Sequence, residues 1–128
     1  MIHDHGYNSR YPDLGFVPAA LLLTRVISKP AANRLTFDLG YKAVASDPPA
    51  GKRCILLNVP EYQMVLQSEE HLVVETPAAV HFALGDVVYA VPTHICPTCA
   101  MHRQAQVVED GQVREQWEII ARDRFLTI

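Results

Sequence analysis

Residues 93–102 (THICPTCAMH) place an imidazole, His94, and a thiol, Cys96, two positions apart. They follow a strand-like run, residues 86–92 (DVVYAVP). Residues two apart on an extended chain face the same way with Cα atoms about 6.5 Å apart, so an imidazole and a thiolate from one edge can grip one metal ion. Two ligands from one edge leave coordination positions open, which suits chemistry rather than scaffolding. A soft thiolate beside an imidazole favours zinc over magnesium or calcium.

Cys99 and His102 follow closely, and they open three further readings. With His94 and Cys96 they could close a tetrahedral structural zinc site, although four ligands within nine residues is tighter than the usual two separated pairs. Cys96-Pro97-Thr98-Cys99 could be a redox pair, but such pairs normally open a helix after a strand in a βαβ setting, which this all-β pattern does not offer. The ordinary alternative is a satisfied loop histidine with cysteines acting as small apolar side chains. Spacing alone leaves these open. Cys54, in the apolar run CILLNV, has no ligand nearby and reads as core.

Other polar groups carry less. Glu70 or His71, beside Glu69 at the start of an apolar run, could accept a proton or a second hydrogen bond, though a solvated strand start explains all three. Lys42 could meet an anion but reads as an exposed lysine. His3, His5 and His81 have neither partner nor spacing to argue from.

The elements that must position His94 and Cys96 are short. Residues 1–18, polar at His3, Asp4 and His5 and then broken by prolines and glycine, read as a lead-in, with order beginning near Pro18. Residues 19–28 (AALLLTRVIS) predict a buried strand closed by Pro30, and residues 34–39 (RLTFDL) a hairpin partner ended by Gly40. Residues 46–52 (SDPPAGK) predict a loop, the least ordered stretch of the chain. Residues 54–59, 62–67 and 71–75 are strand candidates, and residues 78–84 allow one or two helical turns. Residues 104–109 and 112–120 flank Asp110-Gly111, which tolerates the positive φ angles of a type I′ hairpin. Punctuated short strands without sustained 3.6-residue periodicity predict a mainly β barrel or sandwich with at most one or two short helices.

Composition narrows the classes. The 128 residues suit one core, with nine prolines, six glycines and 49% hydrophobic residues. A net charge of -3 without blocks of like charge offers no nucleic-acid footprint. No apolar run is long enough for a membrane span and no secretion signal opens the chain, so a cytoplasmic protein is expected. Three cysteines then read as reduced thiols or metal ligands.

The ordered series YPDLGF (11–16), LTRVISKP (23–30), LTFDLGYKAVASD (35–47), SEEHLVV (68–74), GDVVYAVPTHICPT (85–98) and VVEDGQVREQW (107–117) resembles the C-terminal β domain of the D-threonine aldolase and D-serine dehydratase family. The resemblance covers nearly the whole chain. It implies the fold of the C-terminal domain of alanine racemase-like enzymes over residues 19–128, with residues 1–18 leading in from a barrel that this chain lacks. It implies that His94 and Cys96 bind a divalent metal, zinc before manganese, while Cys99 and His102 are not carried over as ligands. Pyridoxal phosphate would belong to the barrel alone, because none of Lys29, Lys42 or Lys52 falls at a cofactor position and a complete (β/α)₈ barrel needs about 250 residues. The implied activity is that of a lyase on D-3-hydroxy amino acids, by aldol cleavage or dehydration, with the isolated chain inactive. The implied partners are a D-amino acid substrate, a TIM-barrel domain or subunit and a second copy in a homodimer. The rival from another class is a non-catalytic zinc-binding or oligomerisation module.

Overall fold

A computed structural model describes residues 2–123 and Phe125. Six strands form one antiparallel sheet: β1 (Leu22–Ala31), β2 (Arg34–Phe37), β3 (Cys54–Leu56), β4 (Gln63–Gln67), β5 (Leu72–Glu75) and β6 (Val87–Pro92), in the order β3-β6-β1-β2-β5-β4. Two more, β7 (Gln104–Glu109) and β8 (Gln112–Glu118), form a separate two-stranded sheet. Among the described residues there are two short α-helices, α1 (His5–Arg10) and α2 (Ile95–Met101). The domain is therefore mainly β, as composition and punctuation predict.

The sheet curls because β1 serves two neighbours with different stretches. Leu22 to Arg25 pair with β6, while Val26 to Ala31 pair with β2 through two register irregularities. Such bulges bend a strand and sharpen its twist, turning the sheet into a half-barrel. The register aligns apolar residues on its concave face: Leu35 opposes Val74, Phe37 opposes Leu72, and Leu56 opposes Ala90. All six are buried, and they form one core with Val26, Leu39, Val44, Val59, Val88 and Cys54. Cys54 is thus core, and burial pushes its thiol up to about 12.

Two strand expectations need correction. β1 alternates, with Thr24 and Val26 inside and Leu23 and Arg25 outside, so it is buried on one face only. It also runs through Pro30 to Ala31. Past Ser28 it pairs only with β2 in an irregular ladder, and proline is tolerated where its missing N–H faces no partner.

Where β1 changes neighbour, Asp38 receives the Thr24 hydroxyl at 2.6 Å, the Arg25 amide at 2.7 Å and the Arg25 guanidinium at 3.1 Å. Burial pushes its carboxyl up, but these donors outweigh that and hold it below its ordinary 3.8. A group depressed in the folded state contributes stability that is present above the ordinary value and lost as pH falls through the lower one. Asp38→Asn is therefore expected to lower stability at neutral pH by about 1 kcal/mol, discounted for partial exposure. The gap from wild type should shrink below about pH 4; urea midpoints at both ends check it.

The β7–β8 hairpin turns at Asp110 (φ 51°) and Gly111 (φ 73°), the two positive angles expected of that pair. The 78–84 stretch holds a 3-10 turn, Pro77–His81, capped by the Thr76 side chain.

Candidate functional site

β6 ends buried at Val91 and Pro92, and the chain then turns. His94 keeps an extended backbone, but α2 begins immediately after it. Cys96 therefore lies in the first helical turn and not on the same extended edge as His94, which corrects the geometry expected of the pair. The helix itself was not expected. A proline as third helical residue costs little, because the first N–H groups have no intrahelical acceptor, so Pro97 conceals this helix rather than forbidding it.

Tertiary contacts then orient His94. Its Nδ1 lies 2.5 Å from Asp47 Oδ2, and since an ionised carboxylate only accepts, Nδ1 carries a proton, and in the neutral imidazole Nε2 is then the nitrogen with the lone pair. The His94 side chain is 41% exposed, and Cys96 is an exposed free thiol. The loop bearing Asp47 is tied down at two points: Thr93 Oγ1 donates to Lys52 O at 2.6 Å, and Arg53 Nε to Pro48 O at 3.4 Å. Tyr41 lies under the Arg53 guanidinium.

Two buried residues that the sequence does not advertise hold this corner. Asp4 is 2% exposed, accepting Tyr7 N through Oδ1 at 2.8 Å and Ile95 N through Oδ2 at 2.9 Å. One carboxylate thus caps α1 locally and α2 across the fold, where His94 offers no side-chain cap of its own. Thr98 donates to His94 O at 2.7 Å and accepts Ala45 N at 3.1 Å, joining α2 to the segment that presents Asp47. Order accordingly begins well before Pro18: α1 packs on the end of β6, and Gly6 N donates to Thr93 O at 2.9 Å. A Cβ on Gly6 would strike that same carbonyl. The His3 ring packs at a tilt against Tyr7 and Phe16, while His5 contacts Ser9.

The remaining sequence candidates lie in other contacts. Lys42 bridges Glu69 at 2.9 Å and Glu70 at 3.2 Å, so the anions it meets belong to this chain, and both carboxylates raise its ammonium pKa. Lys29 donates to Phe82 O at 2.6 Å. His102 Nε2 meets Ala43 O at 2.8 Å, and Cys99 is half-buried, its thiol pushed up by burial and by nearby Cys96. Among the described residues no three His, Cys, Asp or Glu side chains converge to hold a metal, so the closed four-ligand site is not formed. An open groove of about 470 Å³ runs past His94, with Arg10, Lys52, Tyr7 and Asp47 along it.

Residues 19–108 match the model of the putative serine dehydratase domain, and the chain belongs to that family. A D-threonine aldolase from Arthrobacter sp. is 36% identical over 122 residues, which is 93% of this chain and 31% of that protein. The uncharacterized protein Rv1414 of Mycobacterium tuberculosis is 25% identical over 88% of this chain and 86% of its own length. Among solved structures, D-threonine aldolase from Filomicrobium marinum superposes with a TM-score of 0.81 at 25% identity, over 95% of this chain and 33% of that one. D-threo-3-hydroxyaspartate dehydratase from Delftia sp. HT23 shares the fold at a TM-score of 0.68 and 22% identity, over 91% of this chain and 36% of its own. The chain thus spans about a third of the D-threonine aldolases it matches.

Proposed function

We propose that this domain contributes the metal-binding half of the active site of a pyridoxal-phosphate-dependent lyase acting on D-3-hydroxy amino acids. The observation that carries it is the Asp47–His94 contact, which leaves Nε2 of a half-exposed imidazole free two residues before an exposed thiol. A carboxylate on the far nitrogen of a metal-binding histidine fixes the ring and raises its basicity. The donor set fits a zinc-type ion held at two positions, with the others supplied from outside the chain. When bound, the metal supplies Lewis-acid polarisation of the substrate hydroxyl and the cofactor, from a barrel domain or subunit, an electron sink at Cα. Within that division His94 and Cys96 hold the ion, Asp47 orients His94, and Asp4 and Thr98 fix the backbone between them. Arg10 and Lys52 line the groove together with Asp4 and Asp47, and either cation could meet a substrate carboxylate.

The relatives support this reading. Variants of D-threo-3-hydroxyaspartate dehydratase have been solved with a histidine replaced by alanine, and with a cysteine two positions later replaced, the latter in a metal-free form. The hairpin β7–β8 is exposed along both faces, with Trp117 59% exposed and Val108 and Val113 open beside it. A lone two-stranded ribbon is marginal in water, so an apolar partner such as a barrel or a second copy suits it.

Zinc uptake by equilibrium dialysis tests the site. His94→Ala and Cys96→Ala are each expected to weaken binding at least ~100-fold, and Asp47→Ala about 10- to 100-fold. Equal zinc in wild type and in both ligand variants would sink the clip.

The second reading, a non-catalytic zinc-binding or oligomerisation module, draws on the mycobacterial relative, most of whose length this one domain covers. The DNA preceding the Met1 codon separates the two: an in-frame barrel with its lysine supports the lyase, and a promoter with its own start site supports the module.

A further inference from the structure

We infer that Cys96 and Cys99 form a reversible dithiol–disulfide couple within α2, a modification site for a peroxide-type thiol oxidant whose oxidised form takes the Cys96 sulfur away from metal binding. The metal consequence rests on the function proposed above; the couple does not.

The observation behind it is the helix that the sequence hides. With residues 95–101 helical, Cys96 and Cys99 stand one turn apart on one face. Helix geometry puts their Cα atoms about 5 Å apart, inside the roughly 4.4–6.8 Å window of a disulfide. Their Cβ atoms start at about 5–6 Å and must close by about 1–2 Å. Cys96 stands in the first turn, where N–H groups have no intrahelical acceptor, Pro97 has none to lose, and Ile95 N is held by Asp4 instead. Thr98, bonded to His94 O and Ala45 N, anchors the turn while it tightens.

Exposure sets the order of attack. Cys96 is exposed and meets the oxidant; Cys99 is more sheltered and resolves; Cys54 is fully buried and takes no part. The Cys96 thiolate attacks one peroxide oxygen, forming S–O and breaking O–O, and the departing hydroxide leaves as water once protonated. The Cys99 thiolate then attacks the oxidised sulfur, forming S–S and breaking S–O, with a second hydroxide leaving as water. Two thiols and one hydrogen peroxide become one disulfide and two waters, a mass loss of about 2 Da.

The zinc-free, reduced full chain should be treated with one equivalent of hydrogen peroxide, alkylated and mapped by mass spectrometry beside Cys99→Ser. Expected are a Cys96–Cys99 link within one chain, reversal by dithiothreitol, and Cys54 alkylated only after unfolding. Cys99→Ser should show no ~2 Da loss and should carry Cys96 onward to sulfinic acid. Wild type that yields sulfinic acid as Cys99→Ser does, or only links between chains, would overturn the couple. Zinc affinity then reads the consequence: it should fall at least tenfold in the oxidised chain and stay unchanged in reduced Cys99→Ser. A chain that forms the disulfide yet takes up no zinc when reduced leaves the couple standing and removes the metal reading instead.

Discussion

Gly40→Ala is expected to destabilise the domain by about 3 kcal/mol or more. A Cβ built on Gly40 falls inside the carbonyl carbon and oxygen of Glu69 and against Glu70 N, which are backbone atoms rather than a flexible side-chain end. The approach is enforced from both sides: Tyr41 N donates to Ser68 O at 2.9 Å and Lys42 N to Glu69 O at 2.9 Å. Relief would require separating these segments, and the cost reaches the site. From Gly40 the chain enters a turn, buries Val44 and Ala45, and delivers Asp47 to His94 two residues later. The variant should therefore lose metal affinity along with stability. Chemical denaturation checks it, and a midpoint within about 0.5 kcal/mol of wild type would show that the loop yields without cost.

Asp4→Ala is expected to cost about 2–4 kcal/mol, combining loss of a helix cap with a buried N–H left unpaired at Ile95. Asp4→Asn offers a single acceptor oxygen in place of two and should fall between. The consequence is specific: α1 should loosen from the end of β6, and the amides of Tyr7 and Ile95 should lose hydrogen-exchange protection together, because one carboxylate serves both. Loss at Tyr7 alone would mean that α2 holds its first turn without this cap. Since Ile95 follows His94 directly, zinc affinity in Asp4→Ala should also drop.

Local chemistry made much of the fold legible. Alternation in residues 34–39 and 71–75 describes β2 and β5, whose inward residues Leu35, Phe37, Leu72 and Val74 build the core. Asp110-Gly111 specifies its turn because the two positions need positive φ, and those residues supply it without tertiary help. Cys54 reads as core because its neighbours are apolar, and it is.

What spacing could not state was how those side chains are held. Residues 95–101 contain two cysteines, a threonine and a proline, weak helix formers all, and the turn forms because Asp4 receives Ile95 N from 91 residues away. Asp47 orients His94 across 47 residues of chain, from a proline-rich loop with no periodic signal. The start of the chain reads as polar lead-in because only folding brings Gly6 and Asp4 against Thr93 and Ile95. Which faces are apolar and where the hairpin turns follow from side-chain type and from neighbours a few positions away, so both are legible in the chain alone. Which nitrogen of His94 meets a carboxylate, and that Cys96 and Cys99 share a helical turn, came only with folding. Hydrogen bonds between distant segments set both, and no local pattern encodes their partners.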